Sequence, residues 1–314
     1  MLDPNFIRQQ PETVRAMLRQ RGAAADLDRL LAVDAERRAA LAQLEQLRHQ
    51  RKSGAEEFGR RMREPGSSDP AAAAAQREQA RQLGTQITEL ETRSRELEAE
   101  FQELALTLPN RPHASVPAGR SEADNVEVRR WGQPRAFDFP PRDHVELGAR
   151  LGILDLEAAA RISGARFAVY RGWGARLERA LANFMLDLHG RRGYTEILPP
   201  SLVSSQSLRG TGQLPKFAAD LFHCEGHDLW LIPTAEVPLT NLFAGQILEA
   251  AQLPVRVAGY TPCFRSEAGS YGKDTRGIIR QHQFQKVELV RIAAPETSYD
   301  QLEQLTADAE AVLQ

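Results

Sequence analysis

"CFRSEAGSYGKDTRGIIRQHQFQKVELV", residues 263–290, reads as two strands joined by a glycine-bearing loop. Strand side chains alternate between faces. On the second strand Arg280, His282, Phe284 and Glu288 therefore share one face, and Gln281, Gln283, Val287 and Leu289 the other. On the first, Arg265 and Glu267 share a face with Cys263, while Phe264 points away. Fixed charges of both signs gather around one phenyl ring. The bland explanation is that they pair across the hairpin or sit on a solvated face.

Three features favour a binding role instead. Phe284 lies in the middle of the charged face, where a planar base can stack. The loop "AGSYGKDTRG" (268–277) carries three glycines with Lys273 and Arg276, which suits close approach to a polyphosphate. Arginines at both ends of a groove match phosphate oxygens through the guanidinium fork. An ATP-like ligand across a sheet follows, with adenine near Phe284 and phosphates toward the arginines. "GSYGKDT" lacks the Walker spacing and lies between strands, and no dinucleotide-binding glycine pattern is present.

Outward from this hairpin, the 314 residues allow two domains of ordinary size. With 42% hydrophobic and 26% charged residues the composition is globular, and a formal net charge of -2 gives no global signal for nucleic acid. Two cysteines, Cys224 and Cys263, argue against a disulfide scaffold and for a reducing compartment. The start "MLDPNFIRQQ" has no signal-peptide core and no stretch suits a membrane span, so the expected location is the cytoplasm. "FHCEGHDLW" brings His223, Cys224 and His227 together, but without a second ligand pair it makes a poor zinc site, and no structural metal is expected. Cys263 reads as a small buried residue, and His282 as either an orienting group or an ordinary strand residue.

The first hundred residues differ from the rest. After an amphipathic helix "PETVRAMLRQ", steps of three and four link Leu30, Val33, Arg37, Ala40, Leu44, Leu47, Arg51, Gly54 and Phe58. The break "PGSSDP" (65–70) follows. A second seam runs through Ala80, Leu83, Ile87, Leu90, Ser94, Leu97, Phe101 and Leu104. Two such seams predict an antiparallel coiled-coil hairpin. At about 1.5 Å per residue its helices are about 50 Å long. Such an arm is commonly a protein–protein spacer, although Arg48, Arg51, Lys52, Arg60, Arg61 and Arg63 give its first helix a basic flank, countered by Glu56, Glu57 and Glu64.

"LPNRPHASVPAG" (108–119) is a proline-rich linker, and "SEADNVEVRRWGQPR" a polar surface strand or loop. Helices and strands alternate from Phe137. Trp173, Leu177, Leu181, Phe184 and Leu188 mark an amphipathic helix stopped by Gly190, "YTEILPPSLV" is a short strand ended by Pro199-Pro200, and "DLWLIPTAEVPLTNLFAGQIL" runs from strand into helix. The fold class is α+β, with an antiparallel sheet flanked by helices.

"FRSEAGSYGKDTRG" followed by "HQFQKVE" resembles motif 2 of class II aminoacyl-tRNA synthetases in its seryl-tRNA synthetase form. "GYTEILPPSLV" resembles motif 1, "PTAEVPLTNL" the serine-holding loop and "GTGQLPKF" a neighbouring loop; the arm and linker match as well. The resemblance implies a tRNA-binding arm over 1–107, a linker over 108–135 and a catalytic core over 136–314. It implies that Arg265 holds the α-phosphate and the substrate carboxylate, with Ser266 also at the ATP. Glu267 then faces the adenine amino group, Phe284 stacks the ring and Arg280 reaches the γ-phosphate. Thr234, Ala235 and Glu236 take the serine α-amino end, and Glu288 its hydroxyl. Pro200 lies at a homodimer interface.

The implied reaction is activation of L-serine with ATP and Mg²⁺, then transfer to serine tRNA gripped by the arm, with selenocysteine tRNA as a further candidate acceptor. A serine carboxylate is already ionised, so no general base is needed; arginines and Mg²⁺ position two anions in line. The family continues into a motif 3 that completes the ATP site, whereas this sequence stops at "DAEAVLQ" inside an apparent helix. The chain is expected to be truncated before motif 3 and incomplete as an enzyme by itself. Two rivals stand beside this reading. An amino acid:carrier-protein ligase paralogue is opposed by the intact arm, and a non-catalytic coiled-coil or dimerisation protein by the full set of site residues.

Overall fold

The computed structural model describes residues 2–63, 70–268 and 276–314, in two compact units, Met1–Gly132 and Gln133–Gln314. The first unit opens with two short helices, α1 (Pro4–Gln9) and α2 (Pro11–Gln20). Each starts on a proline, whose missing N–H costs nothing in a first turn. Asp3 caps α1 by accepting the Asn5 N–H. Two long helices follow, α3 (Leu27–Arg61) and α4 (Pro70–Leu106), of 35 and 37 residues. Asp26 caps α3 through the Arg29 N–H. The expected break at 65–70 lies, but for Pro70, outside the described residues.

The two seams are only half right. Leu30, Val33, Ala40 and Leu44 on α3 are buried, as are Ile87, Leu97 and Phe101 on α4, and α2 adds Val14, Met17 and Leu18. Arg51 and Ala80 are exposed, and Leu47, Gly54, Phe58 and Leu83 are only partly covered. The core therefore fills the end of the hairpin where α1 and α2 pack. Arg29–Glu100, Arg93–Glu36, Arg37–Glu98 and Arg48–Glu91 join α3 to α4 along it. Arg37 occupies its seam position because Asp34 beside it is buried and takes hydrogen bonds from Arg8, Arg37 and Arg38. From residue 109 to 143 there is one helical turn, Glu122–Asp124, and no strand; Trp131 is exposed.

In the second unit α5 (His144–Arg150) and α6 (Leu156–Ser163) flank a minimal antiparallel pair, β1 (Leu154–Asp155) with β2 (Val169–Tyr170). Helix α7 (Trp173–Arg191) runs through Gly190, and the left-handed turn residue is Gly193, at φ +84°. Its apolar stripe is not buried within the chain: Trp173, Leu177, Leu181 and Phe184 are 71, 55, 47 and 46% exposed. Gly174, Ala182 and His189 are buried instead.

The central sheet has the order β3-β6-β7, from β3 (Thr195–Glu196), β6 (Val255–Phe264) and β7 (Gln283–Ile292). The quoted hairpin is antiparallel, as expected, and β3 joins it in parallel. A second pair joins β4 (Leu202–Val203), which precedes α8 (Ser205–Gly210), to β5 (Trp230–Leu231), which precedes α9 (Glu236–Asn241). Gly259 lets α9 approach the sheet: a Cβ there would lie 3.2 Å from Leu239 and 3.1 Å from the Ile197 carbonyl oxygen. Helix α7 covers the opposite face, where Tyr260 donates to Glu178 at 3.1 Å. Helix α10 (Ser298–Leu313) closes the unit through Asp308, which accepts from Arg192, Tyr194 and Arg291.

Candidate active site

The register sets Cys263 opposite Phe284, Thr261 opposite Lys286 and Gly259 opposite Glu288, so Phe284, Lys286 and Glu288 share the face that α9 overlies. The strand reading fails at the ends. Strand β6 stops at Phe264 and β7 begins at Gln283, so Arg265, Glu267, Arg280 and His282 are set by turns and by specific bonds. Glu267 has φ +50°, in the left-handed region that costs a side-chain-bearing residue roughly 1–3 kcal/mol. Among the described residues Arg166, at φ +63°, is the other such non-glycine position, and its guanidinium donates to the Glu267 carbonyl at 3.4 Å.

Bonds to neighbouring segments hold the turn. The Arg265 N–H donates to His282 O at 2.9 Å, and His282 Nδ1 lies 3.0 Å from Arg265 O. His282 packs between Phe167 and Phe222, so it orients the Arg265 backbone. Ser266 donates its N–H to Asp220 O and its hydroxyl to Ala219 O, and Ala268 N–H donates to Asp220 Oδ1. After the loop, Gly277 at φ +81° packs so close to α5 that a Cβ would lie 2.0 Å from His144 Nε2. That nitrogen accepts the Ile278 N–H. Lys273 lies outside the described residues, and Arg276 faces Asp143 at 3.5 Å.

These segments enclose a cavity of about 610 Å³ lined by Thr234, Glu236, Arg265, Glu267, Arg280 and Lys286, with Gln213 and Phe217 of the "GTGQLPKF" loop. Arg265 donates to Pro233 O at 3.3 Å and stands 5.3 Å over the Phe284 ring. Arg280 and Glu267 pair at 2.8 Å, so charges do meet across the hairpin here. Thr234 is buried and donates to Glu288 Oε2 at 2.6 Å. Lys286 Nζ lies 2.7 Å from Thr234 Oγ1 and 2.5 Å from Glu288 Oε2. Glu236 lines the same cavity; loss of hydration first, and the Glu288 carboxylate second, push its pKa up, while Lys286 pulls it down.

Ala235 is fully buried against Leu239 and Val257, so its side chain belongs to the core rather than the cavity wall. Cys263 is also fully buried, and burial pushes its thiol pKa up. His223 stacks on Trp230 with ring centroids 4.4 Å apart. Pro200 is exposed beside buried Pro199. Sequence reasoning missed Lys286, although the parity that selected Phe284 and Glu288 selects it equally.

Residues 1–112 match the seryl-tRNA synthetase N-terminal domain, and residues 220–314 the class II tRNA synthetase core domain (G, H, P, S and T). A serine–tRNA ligase of Solibacter usitatus is 54% identical over all 314 residues, which span 73% of that relative; one of Syntrophomonas wolfei is 52% identical over a like span. Among solved structures, seryl-tRNA synthetase from Pyrococcus horikoshii complexed with ATP superposes with a TM-score of 0.87 at 35% identity, covering 100% of this chain and 74% of that one. The cytoplasmic serine–tRNA ligase of Naegleria fowleri in complex with AMP gives 0.79 at 27%, covering 99% and 72%. Similarity this high along the whole length, carried by an arm and a motif 2 hairpin that the structure reproduces, means that the chain belongs to the serine–tRNA ligase family of class II aminoacyl-tRNA synthetases.

Proposed function

We propose that the chain, which spans 73% of the relatives' length, carries the residues with which L-serine is activated by ATP and the seryl group is passed to serine tRNA. The observation that carries this is the cavity itself, with Arg265, Glu267 and Arg280 on one part of its wall and Thr234, Glu236 and Lys286 on another. ATP lies along the first set: Phe284 stacks adenine, Glu267 accepts from its amino group and Arg280 holds the γ-phosphate. Serine lies along the second: its ammonium goes to Glu236 and its hydroxyl to Glu288. Arg265 spans the two, receiving the serine carboxylate and the α-phosphate. Ser266, tied to residues 219 and 220, keeps Arg265 and Glu267 in place.

The ionised serine carboxylate attacks the α-phosphorus and pyrophosphate departs with the electron pair of the bond it loses. No proton has to be removed, so positioning and charge stabilisation supply the rate. The terminal hydroxyl of tRNA then attacks the seryl carbonyl, the bond to the phosphate oxygen breaks, and AMP leaves with the hydroxyl's proton released to its phosphate or to water. A site that reads an OH rejects alanine because a polar group would stay unpaired. Mg²⁺, bound with ATP, would supply positive charge to the phosphate oxygens. Among the described residues no cluster of three His, Cys, Asp or Glu side chains could hold a metal ion. Of the carboxylates that line the cavity, Asp220 would be the one to hold it beside the phosphates, since Glu236 and Glu267 serve the serine ammonium and the adenine amino group.

Residues 1–107 are the RNA-gripping arm, 108–135 the linker and 136–314 the catalytic core. Arg51, Lys52, Arg60 and Arg61 are exposed and make no ion pair among the described residues, which supports phosphate contact there. The uncovered stripe of α7 and exposed Pro200 support a homodimer. Among the described residues no helix is long and apolar enough to cross a membrane, and both cysteines are free, as suits the cytoplasm. The test is serine-dependent ATP–pyrophosphate exchange followed by charging of serine tRNA. Exchange that is indifferent to serine would refute the reading.

A further inference from the structure

Lys286 stands between Phe284 and Glu288 on the cavity face of β7. Its ammonium donates to Thr234 Oγ1 at 2.7 Å and pairs with Glu288 Oε2 at 2.5 Å. Thr234 donates its own proton to the same Glu288 oxygen at 2.6 Å and accepts the Glu236 N–H at 3.2 Å. A hydroxyl has one proton to give and two lone pairs to fill. Thr234 Oγ1 is therefore fully used in holding its neighbours. Both contacts to Glu288 fall on Oε2, which leaves Oε1 as an acceptor. The side chains of Lys286 and Glu288 are 31 and 20% exposed, so water screens their attraction only in part.

The second carboxylate is in a different condition. The Glu236 side chain makes no hydrogen bond or ion pair among the described residues, although it borders the same cavity. An amino acid entering this space carries an ammonium group; of the carboxylates near Lys286, Glu236 lines the cavity and Glu288 lies behind Thr234 and Lys286, which line it too. The one already neutralised attracts it less, and a second cation placed beside Lys286 is repelled. Discrimination of this kind uses a repulsive element as well as an attractive one.

We propose that Lys286 tells the two carboxylates apart. By neutralising Glu288 it leaves that residue to read a neutral hydroxyl, sends the α-ammonium to Glu236, and excludes amino acids whose side chain ends in a cation. This rests on the reading that the cavity takes serine. Lys286 acts through Glu288 and Thr234 and is thus a positioning residue.

The probe is L-2,3-diaminopropionate, which is serine with a β-ammonium in place of the hydroxyl, used at a pH below the pKa of that amine. Its kcat/KM and that of serine are measured by ATP–pyrophosphate exchange in the full-length protein, in K286Q, K286M and K286R, with ATP binding as the check on folding. K286Q and K286M should each raise the diaminopropionate-to-serine ratio about tenfold or more, because the like-charge penalty is gone. K286R keeps the cation and should stay within about threefold of the parent ratio. An unchanged ratio in whichever neutral variant still binds ATP overturns the proposal. So does a neutral variant that binds ATP yet activates neither amino acid, since that assigns Lys286 to the chemistry rather than to the choice of partner. A parent protein that activates no serine would instead overturn the reading of the cavity itself.

Discussion

Asp34 in the helical hairpin and Glu236 in the cavity are carboxylates that lose hydration on folding, and the protein treats them in opposite ways. Asp34 is 2% exposed. Burial alone would push its pKa up, but hydrogen bonds from Arg37 and Arg8 outweigh that and hold it below its ordinary value. Asp308 is similar: bonds from Arg192, Tyr194 and Arg291 outweigh its burial. Glu236 receives no such bond and its pKa rises. A carboxylate that is saturated by its neighbours has nothing left to offer a ligand; one that is exposed and unsatisfied on a cavity wall remains open to a cation. Asp34 serves the architecture of the hairpin, and Glu236 stays open to a ligand.

The largest effect should come from separating the two regions altogether. Replacing residues 30–104 by a short turn should leave serine-dependent pyrophosphate exchange near its original rate while abolishing tRNA charging, since each unit is compact by itself. In the intact protein tRNA binding should weaken with added salt, through release of counterions. Charging that survived the deletion would remove the arm from the reaction. Next in size is Arg265→Ala. Loss of a preorganised donor at the reacting centre costs about 10²–10³ in kcat, measured by the same exchange assay; near-normal exchange would show that the guanidinium over Phe284 serves only packing.

The saturated carboxylates predict effects on stability. Asp308→Ala removes the carboxylate from the Arg291 guanidinium, which is 6% exposed and keeps Tyr194, Gln301 and Gln304 as acceptors, so urea unfolding should show a loss of about 1–3 kcal/mol. Asp34→Ala should cost less, because Arg37 keeps Glu98 at 2.6 Å and Arg8 is 26% exposed. Both native pKa values are depressed. The stability these groups contribute is thus complete above the unfolded-state value, about 3.9, and drains away as pH falls through the folded value. Asn at either position should flatten that acid limb. If the limb is unchanged in Asp308→Asn, the charge of Asp308 is not what the network holds.

Much of this was legible in the sequence. The hairpin gave parity for Phe284 and Glu288, and the break between seams gave two long helices. Burial along the arm was not legible. The same three-four spacing covers Leu44, which is buried, and Leu47, which is only partly covered, and spacing alone does not separate them. Nor does any periodicity reveal that the α7 stripe faces outward: an apolar face is equally apolar whether its partner is in the same chain or elsewhere. Arg265, Glu267, Arg280 and His282 were assigned to strands, yet tertiary bonds set them, and those join residues far apart in sequence, such as Arg166 with Glu267. Lys286 is readable from parity alone, but a lysine two residues before a glutamate on a strand does not differ in sequence from a solvated pair.

The smallest effect tests the open carboxylate most directly. Glu236→Gln removes the proposed acceptor of the substrate ammonium, a hydrogen bond to a charged group worth about 1.5–3 kcal/mol, so kcat/KM for serine should fall about ten- to hundredfold. In the parent protein that parameter should decline in acid at a pH above the ordinary glutamate value of about 4.3, because protonation of Glu236 abolishes the attraction, and the decline should vanish in the variant. The fold should respond in the other direction. A carboxylate whose folded pKa is raised adds stability only while protonated; that stability is complete below its unfolded pKa and is lost as pH rises through the folded value. Glutamine avoids the loss, so Glu236→Gln should unfold at a slightly higher urea concentration at neutral pH, by at most about 0.5 kcal/mol because the carboxylate borders an open cavity. The advantage should shrink to nothing in acid. A variant that is instead less stable at neutral pH would show that Glu236 is held by the fold in the manner of Asp34, and the distinction between the two regions would fail.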